Sequence, residues 1–157
     1  MRRKDRQITD PVQLEGILKS AQCLRLGLVD NGLAYMVPMS FGMAWEGGKL
    51  RLYFHSAPEG RKLELIQAAC VASFEADTDI RLIAAEQACE FSSAYQSVMG
   101  HGKIEILRGE SEKRHALQIL MEHYANRPAW TFPETSLARV VAIKLTVEDM
   151  TGKASNS

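Results

Sequence analysis

The first regular pattern of apolar residues along the chain has the period of an α-helix. The apolar positions recur at i, i+3, i+4 and i+7, and they are Leu14, Ile17, Leu18 and Ala21. Asp10 is a good N-cap, and Pro11 suits the first helical position, where its missing N–H costs nothing. The pattern predicts a helix that begins at Pro11 and packs one face on a sheet.

From Cys23 onward the period changes to two, which is typical of β-strands. Leucines at 24, 26 and 28 form one side of a predicted strand, and the Asp-Asn-Gly sequence at 30–32 forms a turn that tolerates positive φ. Residues Leu33 to Phe41 form the predicted returning strand. Pro38 lies inside it and cannot donate a ladder hydrogen bond. We therefore expect this strand at a sheet edge, at a bulge, or beside something that is not a strand.

Further strands follow at short turn sequences. Glu46–Lys49 predicts a turn and residues 50–55 predict a third strand. Ser56–Ala69 predicts a loop that opens a short helix, for which Ser56 can provide the cap. Cys70–Ala76 has a strand pattern, whereas Asp77–Glu90 fits either a strand or a helix because its period does not decide.

The last third of the chain adds two strands and a helix. Tyr95–Leu107 predicts a long strand, in which Gly100 and Gly102 indicate a bulge or a close backbone approach. Ser111 is the predicted cap of a helix, and Val140–Val147 is the predicted last strand. About six strands and three helices, joined mostly by short turns, favour an antiparallel α+β barrel over a doubly wound sheet.

Composition limits the class of protein further. A chain of 157 residues with 46% hydrophobic and 24% charged residues fits one packed domain, 1–157, with frayed ends at 1–6 and 154–157. Lys plus Arg and Asp plus Glu both number 19, so the net charge gives no general attraction to nucleic acid or to a membrane surface. No stretch approaches the roughly 18 apolar residues that a membrane-spanning helix needs. Three scattered cysteines without a C-x-x-C pair suit a cytoplasmic protein without a zinc site.

Several kinds of catalytic site lack their usual motifs. His115 and His123 stand eight residues apart on one predicted helix, which is not the i, i+4 spacing of a shared metal ion. No H-E-x-x-H, G-x-S-x-G, Walker or G-x-G-x-x-G motif is present. The sequence therefore gives no support to a metalloenzyme, a serine hydrolase or a Rossmann dinucleotide fold.

The segment from Tyr53 to Lys62 has a pattern that suits an anion. A strand leads through His55 and Ser56 to a predicted helix start, where free N–H groups favour a negative charge, and Arg61 and Lys62 follow closely. These features fit a phosphate. They also fit an ordinary capped helix start with two solvated basic side chains, so the spacing alone leaves both interpretations open.

Four segments together resemble a known family. They are Y-M-V-P-M-S-F-G at 35–42, F-H-S-A-P-E-G-R-K at 54–62, Y-Q-S-V-M-G-H-G-K at 95–103 and M-T-G-K at 150–153. In this order they resemble the FMN-binding split-barrel proteins related to pyridoxamine 5'-phosphate oxidase, and among them the 5-nitroimidazole reductase group. The resemblance extends from Met1 to Lys153 and implies a six-stranded antiparallel split β-barrel with flanking helices.

The resemblance also implies a cofactor and the residues that hold it. The implied FMN-binding residues are Val37, Pro38, Met39, Ser40, His55, Ser56, Arg61, Lys62, Ser97 and Val98. Arg61 and Lys62 correspond to the basic pair that binds the FMN phosphate, and Gly60 stands where the oxidases usually have a serine. The family places two FMN molecules at the interface of a homodimer, which would explain apolar residues on both faces of the strands.

His55 is the candidate catalytic residue, because an imidazole beside a flavin can donate a proton or orient a bound acceptor. Its other interpretation is a structural residue or a phosphate contact. His101 is a weaker candidate for the same role. Trp130 and Phe132 can cover the flavin or the substrate, or can simply pack under their loop.

The function implied by the resemblance is an FMN-dependent reductase of small electron-poor acceptors such as 5-nitroimidazoles. Three alternatives stay open: a flavin-binding protein without turnover, a pyridoxamine phosphate oxidase, and an interaction module without a cofactor. The oxidase is disfavoured because residues 148–157 lack the arginine and histidine pair of its C-terminal substrate segment.

Overall fold

The computed structural model describes residues 4–125, 127 and 129–155. Its helices are α1 (Pro11–Ser20), α2 (Arg61–Ala69), α3 (Glu110–Tyr124) and α4 (Glu134–Leu137). Its strands are β1 (Gln7–Ile8), β2 (Leu24–Asp30), β3 (Leu33–Met39), β4 (Phe41–Glu46), β5 (Lys49–Ser56), β6 (Val71–Ile83), β7 (Ser92–Leu107) and β8 (Val141–Ser155). Short 3₁₀ turns lie at Lys4–Arg6 and Ala88–Glu90.

All eight strands belong to one antiparallel sheet. The strand order is β3-β2-β6-β7-β8-β5-β4, with β1 added beside β8. Strands β3 and β4 are at the two ends of this order, yet Ser40 alone separates them in the chain. The sheet therefore curls until its two ends meet without pairing. The predicted antiparallel split barrel is confirmed, and it has eight strands rather than about six.

Tight turns fix the hairpins on which the candidate site depends. Asn31 and Gly32 have φ values of 50° and 80°, which suits the two-residue turn between β2 and β3. Gly47 and Gly48 have φ values of 58° and 75° in the turn between β4 and β5. Pro38 lies in β3, an edge strand that pairs only with β2, so its missing N–H leaves no ladder bond unmade on the open side.

The core lies on the inner face of the curled sheet. Leu24, Leu26 and Leu28 point inward, as their alternation predicted, and each is at most 3% exposed. Helices α1 and α2 contribute further buried residues to the same cluster, which are Leu14, Ile17, Leu18, Leu63, Leu65 and Ile66. Helix α3 packs on the outer face over β4, β5 and β8. Its backbone comes so close to β4 that a Cβ on Gly42 would lie 2.5 Å from the Ile119 oxygen.

Several boundaries differ from the predicted ones. Residues 41–46 form a strand of their own because the chain bends at Ser40, and the ambiguous residues 77–83 extend β6. Ser56 ends β5 and Gly60 is the N-cap of α2, while Gly109 rather than Ser111 is the N-cap of α3. A serine alone does not fix a cap, since the backbone geometry decides where the helix begins.

The expectation of frayed ends stays a prediction, although the described residues at both ends have regular secondary structure. Residues 4–6 form a 3₁₀ turn, and β8 continues through Ala154 to Ser155, which pairs with Tyr95 and is 4% exposed. Residues 1–3 and 156–157, which belong to the same prediction, lie outside the described part of the chain. The backbone pairing of β7 and β8 holds this end in the sheet.

Candidate functional site

Strand β5 presents His55 and Ser56 to opposite faces of the sheet because side chains alternate along a strand. Ser56 follows the inward residues Leu52 and Phe54 and is 5% exposed. Its hydroxyl is buried and has no hydrogen-bond partner among the described residues. A buried polar group normally has a partner, so this hydroxyl, like Arg51 Nε, Trp130 Nε1 and Thr151 Oγ1 elsewhere in the described chain, can receive one from water or a ligand.

Four residues after Ser56 in the chain, at Gly60, helix α2 starts with an open N-terminus. Gly60 is the N-cap with a φ of 136°, and it offers no side-chain oxygen to the first turn. The amides of Arg61 and Lys62 precede the first hydrogen bond of the helix, which the Leu63 amide donates to the Gly60 oxygen at 3.0 Å. A Cβ on Gly60 would meet no atom within 4 Å. The first-turn amides and the helix dipole can therefore receive an anion.

Lys62 leads from this helix start toward β3 and β5. Its ammonium lies 3.6 Å from the Met39 sulfur, which is a weak acceptor. The same positive charge, together with a larger effect of burial, lowers the pKa of His55. Part of the His55 ring is exposed, but enough of it is enclosed for burial to disfavour the charged form. Lys62, His55 and Met39 thus converge at one place.

Arg61 does not join this group. Its Nε donates to Asp30 Oδ2 at 2.8 Å, its Nη2 donates to Asp30 Oδ1, and its Nη1 donates to Glu64 Oε2 at 3.0 Å. Asp30 belongs to β2, at the turn into β3. The predicted basic pair is therefore divided: Lys62 faces Met39 and His55, whereas Arg61 is held by two carboxylates.

The predicted residues of β3 and the following link lie on both faces of the edge. Met39 is buried at 5% exposure and Val37 packs against the core, while Pro38 and Ser40 are exposed. Ser40 precedes Phe41, which pairs with Phe54 of β5. The split of the barrel thus brings Met39 and Ser40 close to the end of β5, next to His55.

Ser97 and Val98 lie in a second region. Val98 is fully buried in the core, so only its backbone can reach a ligand, while Ser97 is half-buried on the outer face. Ser97 pairs with Lys153 of β8, whereas His55 pairs with Ala142 of the same strand. Those β8 positions are eleven residues apart, or on the order of 30 Å along the strand. One chain therefore does not place Ser97 beside His55.

A cavity of about 460 Å³ opens beside this second region. Its lining comes from the β6–β7 hairpin and the end of β8, namely Asp79, Ile80, Arg81, Ala94, Tyr95, Gln96 and Ser155. A hydrogen bond with Lys153 lowers the pKa of Tyr95. The start of α2 does not border this cavity. The molecule therefore carries two separate candidate half-sites: the α2 start with His55 and Ser56, and the cavity with Ser97 and Val98.

The remaining candidate residues lie elsewhere. His101 is exposed on the outer face of β7 opposite Ser73 and Asp149, seven β8 positions away from the partner of His55. Trp130 and Phe132 pack against α3, where the Trp130 amide donates to Gln118 and the Phe132 oxygen accepts from Arg114. These contacts support the packing interpretation of the loop.

A polar network that no sequence pattern indicates lies beneath α3. Glu46 accepts hydrogen bonds from Tyr53 at 2.7 Å and from Arg51, and it lies 2.6 Å from the His115 ring. These bonds lower the pKa of Glu46, and burial beside this carboxylate raises the pKa of Tyr53 to about 12. The network joins β4 and β5 to α3 and gives His115 a carboxylate partner on the strands beneath the helix.

Neither a metal-binding cluster nor a membrane-spanning helix is found in the part of the chain that the structure describes. Within residues 4–125, 127 and 129–155, no three His, Cys, Asp or Glu side chains are grouped as a metal would require. Among the helices of the same residues, none has the length and apolar character to span a membrane.

Known proteins share this fold and part of this sequence. A crystal structure of a candidate 5-nitroimidazole antibiotic resistance protein from Bacteroides thetaiotaomicron is 34% identical, with 94% of this chain and 86% of that chain covered and a TM-score of 0.80. The flavocytochrome Anf3 from Azotobacter vinelandii is 19% identical over 100% of this chain and 72% of that chain, with a TM-score of 0.79. An FAD and heme binding protein from Mycobacterium smegmatis is 22% identical over 97% and 74%, also with a TM-score of 0.79. The last two show the fold alone.

A family comparison covers almost the entire chain. No curated protein matches the chain in sequence. The sequence model of the pyridoxamine 5'-phosphate oxidase family matches residues 10–154, which include both candidate half-sites except Ser155 in the cavity lining. With this match and the 34% identical structure, the chain belongs to the pyridoxamine 5'-phosphate oxidase-like family of flavin-binding proteins.

Proposed function

We propose that this protein is an FMN-dependent oxidoreductase that reduces a small electron-poor acceptor such as a 5-nitroimidazole. The observation that carries the proposal is the buried hydroxyl of Ser56, which lacks a partner among the described residues and stands four residues before Gly60, the N-cap of α2. The family match supports a flavin, and the name of the 34% identical relative supports a nitroimidazole.

The residues present fit the phosphate end of FMN. Ser56 can donate its hydroxyl, the Arg61 and Lys62 amides can donate from the helix start, and the Lys62 ammonium can add a charge-assisted bond. Gly60 leaves open space where a larger residue would stand. A phosphate needs several such donors at once, and these groups are the donors that the end of β5 and the start of α2 offer.

The chemistry that the flavin supplies when bound is transfer of a hydride to the acceptor. The residues of this chain would bind the flavin, orient the acceptor and exclude water. His55 has a lowered pKa, so its ring is neutral at neutral pH. A neutral imidazole can donate one N–H bond to the polar group of an acceptor and so orient it.

A complete site on this proposal needs two copies of the chain. Ser97 and the cavity beside Tyr95 are too far along β8 from His55 for one flavin to touch both. A homodimer can place the second region of one copy against the α2 start of the other. Met36 and Met99, which are 55% and 49% exposed on the outer face, supply apolar surface for such an interface.

Rapid mixing tests the proposed activity. The purified protein is loaded with FMN, reduced without oxygen and mixed with a 5-nitroimidazole while the flavin absorbance is followed. We expect reoxidation that depends on acceptor concentration and is faster than with the same amount of free reduced FMN. Reoxidation no faster than that of free FMN would indicate a flavin-binding protein without turnover. Oxidation of pyridoxamine phosphate by the holoprotein would instead indicate an oxidase.

A further inference from the structure

Arg61 is held by an acid from another part of the fold. The Asp30 carboxylate takes the Nε and Nη2 side of the guanidinium with both of its oxygens, and Glu64 takes Nη1. Two parallel N–H bonds to one carboxylate form the geometry that a phosphate would otherwise use. The side of Arg61 best suited to a phosphate is therefore already occupied by Asp30.

The position of Asp30 is fixed by the turn between β2 and β3. The Asn31 side chain donates to Asp30 Oδ1 at 3.1 Å, and positive φ at Asn31 and Gly32 closes the turn tightly. The side chain of Arg61, which forms the ion pair with Asp30, is 47% exposed. The contact joins the edge hairpin to α2 across 31 residues of sequence, so it is not a local helix pair.

Lys62 differs from Arg61 in just this respect. Within the described residues, the hydrogen-bond acceptor of the Lys62 ammonium is the Met39 sulfur, and this bond is weak. Asp30 and Glu64 offset the guanidinium charge of Arg61, so Arg61 adds little attraction for a dianion while Asp30 holds it. Lys62 can bind a phosphate directly, whereas Arg61 first has to exchange partners.

We propose that Asp30 is a specificity-determining residue that competes with the phosphate of the flavin for Arg61. This inference rests on the proposed function, since it concerns the same helix start. On this proposal, Asp30 weakens the binding of flavins that carry a phosphate. It leaves the binding of riboflavin unaffected. Asp30 acts through Arg61 and needs no contact with the flavin.

Dissociation constants of FMN and riboflavin, measured by quenching of flavin fluorescence, test the proposal. In Asp30→Asn protein we expect FMN to bind about two- to fivefold more tightly, the range that loss of an exposed ion pair allows, with riboflavin unchanged. In an Arg61→Gln background the same substitution should leave FMN affinity unaltered. Glu86→Gln is the matched control, because it removes the same charge beyond the far end of β6.

Each other outcome overturns the proposal. Weaker FMN binding by Asp30→Asn would mean that Asp30 positions Arg61 for the phosphate instead of competing with it. An equal change for both flavins would mean a structural effect, and a gain that persists in Arg61→Gln would mean a general effect of charge. If the unaltered protein binds neither flavin, the proposed function itself fails, whereas the preceding outcomes leave it standing.

Discussion

Replacing Lys62 by methionine removes the cation that, among the described residues, faces the proposed phosphate site without a carboxylate partner. Methionine keeps an apolar side chain of similar length beside Met39, so the contact of α2 with Met39 should change little. The ammonium has only a thioether at 3.6 Å in the described structure, and thus nearly all of its donor capacity is available to a ligand.

The expected size follows from the kind of bond that is lost. A hydrogen bond to a charged group contributes about 1.5–3 kcal/mol, which corresponds to a roughly 10- to 150-fold weaker affinity for FMN. Arg61→Met should weaken binding less, because Arg61 must release Asp30 before it can bind a phosphate. The two basic residues, adjacent in sequence, are therefore expected to be unequal.

Fluorescence titration of both variants with FMN and riboflavin measures the difference. Lys49→Met serves as the control, because Lys49 is exposed at the opposite end of β5. Lys62→Met should lose FMN affinity and keep riboflavin affinity, while Lys49→Met should keep both. A larger loss in Arg61→Met than in Lys62→Met would refute the reasoning, since it would place the phosphate on the Asp30 side.

Two further predictions concern acid titration and packing. Folding lowers the pKa of His55, so its contribution to stability is full above about pH 6.5 and is lost as the pH falls through the folded value. An NMR titration of Lys62→Met should show that the pKa of His55 has moved upward. An unchanged pKa would contradict the effect of the Lys62 charge on His55. Gly42→Ala should destabilise the protein by about 1–3 kcal/mol in urea unfolding, because its Cβ would meet the α3 backbone at 2.5 Å. Gly16→Ala in α1, where a Cβ meets nothing within 4 Å, should instead stabilise by up to about 1 kcal/mol, and equal effects of the two would be inconsistent with this packing.

Local patterns along the chain were sufficient for most of the fold. The inward leucines of β2, the Asp-Asn-Gly turn and the edge position of the Pro38 strand all follow from spacing and backbone chemistry, and the structure confirms them. The register shift of β7 against β8 between His101 and Gly102 also fits the predicted bulge or close approach, since a Cβ on Gly102 would lie 2.0 Å from the Thr146 oxygen.

What the sequence did not show depends on contacts between distant residues. Ser56 was expected to cap a helix, but β5 continues through it and buries its hydroxyl. Arg61 and Lys62 are equivalent by spacing, yet only the fold brings Asp30 to one of them. The Glu46, Tyr53 and His115 network likewise joins two strands and a helix that no periodic pattern relates.

The direct test of the central claim is a map of backbone amide shifts in ¹⁵N NMR spectra as FMN, and separately riboflavin, is added. A phosphate at the start of α2 should shift the Arg61 and Lys62 amides strongly with FMN and little with riboflavin. Both flavins should shift residues next to His55. If these two amides stay in place with saturating FMN while shifts gather at another part of the fold, the phosphate does not bind where Ser56 and α2 meet.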